Sequence, residues 1–298
     1  MNRRDFLTTG LAGGVALTAG LSPQRADAKT PGRFRLNYAP HFGMFRNLAG
    51  DDPIDQIRFM ADQGFRSLQD NGLRDRPKQW RQQVRAEMDR RGMSMGTFIA
   101  TAEFGSPTFT SGRKHLRSQI LFDMQKSLEV ARQMDARWMI VVPGKIDDRL
   151  SAEQQMAHAV ELLKRCAELC EHDSRVMVLE PLNGRGMFLR STSQARRICR
   201  AVDSPACKLM FDVADQPASS GRLIPNIEEC WDEIAYFQVG DNPGRKEPGT
   251  GQIDFRSVFR HITARRFDGL LGMEHGNSRP GEEGEQRVID AYVAHEMA

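Results

Sequence analysis

Short apolar runs alternate along the chain with stretches whose apolar residues recur every three or four positions, a strand-then-helix grammar that repeats from residue 33 onward. Residues 33–40 predict a first strand, and 53–63 a helix whose Ile54, Ile57, Met60 and Ala61 share one face before Gly64 stops it. Residues 65–69 predict a second strand, Trp80, Val84 and Met88 mark a helix over 78–91, and 93–100 predict a third strand. The stripe Ile120, Leu121, Met124, Leu128, Ala131 and Met134 predicts a long helix, with a fourth strand over 138–142 behind it. Ser151 and Gln154 form a capping-box pattern for the next helix, which would turn Met156, Val160, Leu163, Ala167 and Cys170 to the core. Later helices are expected over 193–202, 227–233, 254–265 and 282–296.

The last four apolar runs share one ending. Met177, Val178 and Leu179 lead into Glu180, and Pro181 then forbids further ladder bonding. KLMF is followed by Asp212, IAYF by Gln238 and LLGM by Glu274. These four residues succeed one another at intervals of 32, 26 and 36 residues, about the length of one strand, one returning helix and two loops. Eight strands and eight helices can be counted, and right-handed crossovers between them predict an α/β fold, a single (β/α)8 barrel. No glycine-rich phosphate turn follows any strand, which disfavours an open dinucleotide-binding sheet. In a parallel barrel all strand ends of one sense meet at one rim, so the four oxygen-bearing side chains would converge. Three carboxylates and an amide oxygen in one place call for a cation, and a hard divalent metal is the simplest one. Oxygen ligands without thiolates favour Mg²⁺ or Mn²⁺, with Co²⁺ or Zn²⁺ as alternatives.

Composition narrows the partners. A net charge of +3 with dispersed Lys and Arg argues against a nucleic-acid footprint and favours a small-molecule substrate. Residues 1–28 read as a twin-arginine export signal: Arg3 and Arg4, a weakly apolar core from Gly10 to Leu21, and a small-residue cleavage site at Ala26, Asp27 and Ala28. That reading predicts export by the twin-arginine machinery to the periplasm, no lasting membrane anchor, and one catalytic domain over 29–298. The apolar core is shorter than the ~20 residues that span a bilayer. The five cysteines lack zinc-site spacing and are expected to be buried thiols, with Cys166 and Cys170 on one helix face. Trp80, Trp138 and Trp231 are expected in the core, and His158 on a helix surface or in packing.

These residues carry a family resemblance. The stretch FQVGDNPGRKEPGTGQIDF, residues 237–255, is similar to the strand-seven loop of the hydroxypyruvate isomerase family, within the xylose-isomerase-like barrel superfamily. LEPLNGRGMFLRSTSQA resembles that family's strand-five segment, KLMFDVADQ its strand six and GMEH its strand eight. The resemblance is dense in the C-terminal half; the N-terminal half agrees in architecture. It implies that Glu180, Asp212, Gln238 and Glu274 are metal ligands and that Glu180 and Glu274 act as acid and base on either side of the substrate carbon. It further implies that Arg245 reaches substrate oxygens, with Glu247 orienting it. His41 and His275, at the ends of strands one and eight, are candidates to face substrate.

Two positions depart from the family pattern: Asp215 stands where a histidine is usual, and Gln69 where relatives often carry glutamate. Exchanging an imidazole for a carboxylate changes pocket charge and donor pattern, favouring a neutral sugar over a hydroxy-keto acid. The activity implied is metal-dependent isomerisation or epimerisation of an α-hydroxycarbonyl compound through an enediolate. The competing readings are a lyase or hydrolase on oxidised sugars that uses Asp215, and a noncatalytic sugar-binding barrel. A barrel-type nuclease would need further histidine ligands and a basic groove. Outer helix faces leave an oligomer open.

Overall fold

The computed structural model describes residues 33–216 and 221–296; the expected export signal lies outside the described residues. Strands β1 (Tyr38–Ala39), β4 (Phe98–Ala102), β5 (Trp138–Val142), β6 (Val176–Leu179), β7 (Cys207–Asp212), β8 (Ile234–Val239) and β9 (Leu270–Met273) form a parallel sheet in the order β1-β9-β8-β7-β6-β5-β4. The pair β2 (Ser67–Leu68) and β3 (Ser94–Met95) fills the arc between β1 and β4. A parallel bridge from His41 to Gln69, the Gln69 amide on Pro40 O at 2.9 Å and the Ile99 amide on Asn71 O at 3.3 Å join that pair to its neighbours. Since β3 and β4 are one barrel strand interrupted at Gly96 and Thr97, the eight-strand expectation holds, with the third strand broken and the first shorter than expected.

Helices α1 (Arg46–Ala49), α2 (Pro53–Asp62), α3 (Lys78–Arg91), α4 (Lys114–Met134), α5 (Ala152–His172), α6 (Thr192–Val202), α7 (Leu223–Cys230), α8 (Phe255–Ala264) and α9 (Gly281–Glu296) are carried between and after the strands. The Ser151 capping box opens α5 as expected. Its core face is turned slightly from the predicted one: Ala159, Leu162 and Cys166 are fully packed, and Met156 and Val160 sit at the margin. Gln155 takes a buried place because its side chain ties the Asp147 amide and the Leu150 carbonyl of the preceding loop.

Two apolar layers follow from the period-two alternation of the strands. Trp138, Ile140, Val142, Val176, Val178, Met210, Tyr236 and Leu270 fill the barrel interior. Met139, Val141, Met177, Leu179, Leu209, Phe211, Phe237, Val239, Leu271 and Met273 belong to the outer core, under the helices. In β5 to β9 the interior positions named here are even-numbered, whereas in β4 the phase is reversed and Ile99 packs against the inner layer. Continuing the same alternation to the strand ends assigns Glu180, Asp212, Gln238 and Glu274 to the interior face, at the carboxyl rim.

Candidate functional site

Asp212 is the last residue of β7 and pairs in register with Gln238 of β8, which is in turn the neighbour of Gly272 in β9, two residues before Glu274. Glu180 directly follows β6, its amide bonded to Val141 O at 3.2 Å. The parallel register therefore brings the four oxygen-bearing residues to successive strand ends on one rim. Asp212 is 2% exposed and accepts the Ala214 amide at 2.8 Å and Arg245 Nη2 at 2.5 Å. Glu274 accepts Gln69 Nε2 on Oε2 at 2.8 Å and Asn71 Nδ2 on Oε1 at 3.3 Å. Gln238 is 1% exposed, and its Oε1 is buried without a hydrogen-bond partner.

The electrostatics match a crowded anionic rim. Burial pushes the Glu180 carboxyl up to about 8, reinforced by the negative charges of Asp212 and Glu274 and opposed by Arg245. Burial likewise raises Asp212 to about 6, Asp215 adding to the rise and Arg245 opposing it. Among the described residues, no three His, Cys, Asp or Glu side chains are already drawn together as a ligand cluster. Asp212 is instead turned onto Arg245, and Glu274 onto Gln69 and Asn71. The donor set nonetheless fits a hard divalent cation: three carboxylates held close enough to disfavour one another's charge, and an amide oxygen whose burial lacks any other compensation.

The β8–α8 loop carries Arg245, in the left-handed region at φ 48°. Its Nη1 donates to Asp215 Oδ1 at 3.2 Å, so one guanidinium spans Asp212 and Asp215. What holds the loop is Asp241, fully buried, whose carboxylate accepts the amides of Asn242, Gly249, Gly251 and Ile253 at 2.8–3.2 Å. Its sequence signal is an Asp opening an Asn-Pro-Gly turn, where a carboxylate commonly gathers loop amides.

Glu247 does not orient Arg245. It is fully buried, and its carboxylate accepts the Ser278 amide at 2.8 Å, the Ser278 hydroxyl and Arg287 Nε at 3.2 Å. It thereby ties the β8 loop to the loop after β9. His275 differs from expectation as well. At an odd-numbered position it faces outward, with Nε2 2.9 Å from Tyr292 Oη in α9 and its ring stacked on that tyrosine. Burial pushes its imidazole down to about 4, so it is a neutral packing group. His41 has ring nitrogens 2.9 Å from Phe42 O and 3.3 Å from His275 O. Both contacts are to loop backbone. Glu103, in the loop after β4, caps the Gly105 and Ser106 amides of its own exposed loop.

A cavity of about 410 Å³ opens beside Asp212 and Asp215, walled by Pro181, Asn183, Arg190 and Asn226. That is room for a small polar ligand.

Comparison with known proteins agrees with this geometry. Over 169 residues the chain is 28% identical to hydroxypyruvate isomerase of Escherichia coli, a match covering 56% of this chain and 65% of that protein. It is 23% identical over 202 residues to 2-oxo-tetronate isomerase of Cupriavidus necator, covering 65% of this chain and 76% of that one. The first of these matches spans slightly less than two thirds of its relative's length. Among solved structures, 3-keto-D-glucoside 4-epimerase from E. coli superposes with a TM-score of 0.72 at 16% identity, over 89% of this chain and 100% of that one, a likeness of fold. The family model described as xylose isomerase-like TIM barrel matches residues 57–293, and with the parallel eight-stranded ring already described, the chain belongs to that family.

Proposed function

We propose that this chain is a divalent-metal-dependent isomerase or epimerase acting at the carbon beside a carbonyl in a small polyhydroxy substrate. The observation that carries the reading is the convergence of Glu180, Asp212, Gln238 and Glu274 on one rim, with Gln238 Oε1 buried and otherwise unpartnered. Similarity to hydroxypyruvate and 2-oxo-tetronate isomerases supports the reaction class. These four residues would hold the ion, Mn²⁺ or Mg²⁺ in first preference and Co²⁺ or Zn²⁺ in second. Bound there, a divalent cation supplies Lewis-acid stabilisation of the charge that develops on the substrate's oxygens.

The chain's own residues supply the rest. Glu180 and Glu274 stand at β6 and β9, three neighbours apart around the ring, and so address a substrate at the mouth from two sides. One carboxylate removes the proton beside the carbonyl, leaving an enediolate. The same or the opposite carboxylate returns the proton to the adjoining carbon while the hydroxyl proton passes to the former carbonyl oxygen (isomerisation), or returns a proton to the other face of the original carbon (epimerisation). Arg245, anchored on Asp212 and Asp215, offers its remaining N–H groups to substrate oxygens. Asp215 adds negative charge beside the cavity, which favours a neutral sugar over a hydroxy-keto acid. His41 lines the strand-one side of the rim. The export signal over 1–28, a mature domain over 29–298 and a periplasmic site of action complete the proposal and rest on the sequence pattern.

Proton exchange in D₂O, followed by NMR on protein beginning at Lys29, tests it. Protein loaded with Mg²⁺ would be offered hydroxypyruvate and common ketoses. Deuterium appearing next to the carbonyl of a neutral ketose is the expected result. No exchange with any substrate, with bound metal verified by elemental analysis, overturns the isomerase reading.

A further inference from the structure

Beneath the rim, a buried side-chain relay ends on Glu274. The Tyr236 hydroxyl, from the barrel interior, donates to Gln69 Oε1 at 2.8 Å, and Gln69 Nε2 donates to Glu274 Oε2 at 2.8 Å. Tyr236 is fully buried and Gln69 is 1% exposed, so water does not substitute for either bond. The relay has a direction. The Glu274 carboxylate can only accept, so the NH₂ end of the Gln69 amide is turned to it; the carbonyl end then faces Tyr236, whose hydroxyl must donate.

Two glycines make the relay fit. A Cβ on Gly272 would lie 2.1 Å from Gln69 Oε1 and 2.9 Å from the Tyr236 ring; one on Gly96 would lie 2.8 Å from the Tyr236 hydroxyl oxygen. Gly272 precedes Glu274 by two residues in β9, and Gly96 is the break between β3 and β4. The interruption of the third barrel strand and the absence of a side chain in β9 thus serve one object, the amide of Gln69.

We propose that Gln69 is a positioning residue for Glu274, locked by Tyr236, that commits Oε2 to the protein through the shorter bond and leaves Oε1, which holds only the longer 3.3 Å contact from Asn71 Nδ2, as the oxygen offered to the ion and the reacting carbon. The inference rests on the reading of Glu274 as ligand and base, and deepens it. A glutamate at position 69 would face Glu274 with an acceptor, so the departure from the family's frequent glutamate sets the donor pattern under this carboxylate. A leucine there removes the donor while keeping most of the bulk.

The test uses the mature chain with three variants: Gln69→Leu, Tyr236→Phe and Gly272→Ala. Mn²⁺ affinity measured by calorimetry is expected to fall roughly tenfold in Gln69→Leu, the usual scale for losing an outer partner of a ligand. Tyr236→Phe keeps the ring and should move the affinity in the same direction by less, with kcat reduced more than KM is raised. Gly272→Ala should resemble Gln69→Leu. Circular-dichroism melting identifies any variant lost to misfolding, and Tyr236→Phe carries the test if Gln69→Leu does not fold. A second readout is independent of the metal: the Gln69 side-chain NH₂ should give a shifted, slowly exchanging ¹⁵N-amide signal that reverts toward the free-amide position in Tyr236→Phe. Failure of wild-type protein to bind Mn²⁺ counts against the metal reading alone, and the amide signal then decides the relay. An unshifted, fast-exchanging amide in wild type overturns the proposal, as does unchanged Mn²⁺ affinity in folded Gln69→Leu or Tyr236→Phe.

Discussion

Gln238 and Asp212 are register partners across β8 and β7, yet they satisfy their oxygens differently: Asp212 is bonded to Arg245, whereas Gln238 Oε1 is buried without a partner. A buried orphan acceptor costs stability unless another group serves it. Gln238→Met removes that oxygen at similar volume. The metal-free variant should melt higher, consistent with a gain of about 1 kcal/mol. Its Mn²⁺ affinity should fall by roughly tenfold or more. Calorimetry and thermal melting on the same preparation measure both. A variant that is less stable and binds Mn²⁺ as well as wild type would remove Gln238 from the ligand set.

Arg245 bonds to the carboxylate of Asp212, which is also a candidate ligand. The guanidinium and the ion therefore draw on one carboxylate. Arg245→Ala should leave Mn²⁺ affinity unchanged or raise it, while KM rises about tenfold through loss of charge-assisted hydrogen bonds to substrate. A drop in metal affinity with unchanged KM would make Arg245 a structural counter-ion only.

Glu180 and Glu274 carry the proton transfer in the proposed reaction. Glu180→Gln and Glu274→Gln each keep the shape of the side chain and remove its basicity, so each should lower turnover at least ~10²-fold while the melting curve survives. Solvent-exchange rates measured on both variants are the readout. Unchanged rates in either would withdraw that residue from the chemistry.

Much of this site was legible because a parallel barrel obeys two simple rules. Strands end at one rim, and side chains alternate inside and out, so four oxygen side chains at matched strand ends had one place to go. The same alternation, applied one residue further, turns His275 outward to Tyr292, so its place beside Glu274 in sequence does not make it a substrate contact. Glu247 was misread for a different reason. Its partners Ser278 and Arg287 lie 31 and 40 residues away, and no local pattern announces a contact between two loops. Gln69 was noticed only as a departure. Its relay joins β2 to β8 and β9 through space left by two glycines, a relation that exists in the packing and has no linear signature.

Glu247 supports stability through a buried carboxylate. Glu247→Ala leaves the Ser278 amide and the Arg287 guanidinium without their acceptor and should cost about 2 kcal/mol, seen as a lower urea midpoint. Burial alone would raise this carboxyl, but the hydroxyl and amide of Ser278 outweigh it and hold the group below its ordinary value. A folded-state value depressed in this way stabilises the protein fully above the unfolded carboxyl's range. That contribution is lost as pH falls through the folded value. Glu247→Gln should therefore show a flatter loss of stability below about pH 4.5 than wild type. Parallel acid limbs in the two proteins would contradict the linkage.

The cysteines give a prediction that needs no substrate. Cys166, Cys170, Cys199, Cys207 and Cys230 are all buried free thiols. Burial pushes Cys170 up to about 12 and Cys166 higher still, so neither carries appreciable thiolate at pH 8. The reactive species is the thiolate, and a disulfide reagent must also reach the sulfur. Ellman's reagent at pH 8 should accordingly find no fast-reacting thiol in the native protein and all 5 cysteines once guanidinium unfolds it. Reaction in the native state should proceed only at the rate at which the barrel opens, and a bound divalent ion that stabilises the folded chain should slow it further. A fast native-state equivalent would mean that the helix layer over β6 and β7 is looser than its packing implies. Fewer than 5 thiols after unfolding would mean that two had paired, which in an oxidising compartment would make one of these core contacts a covalent one.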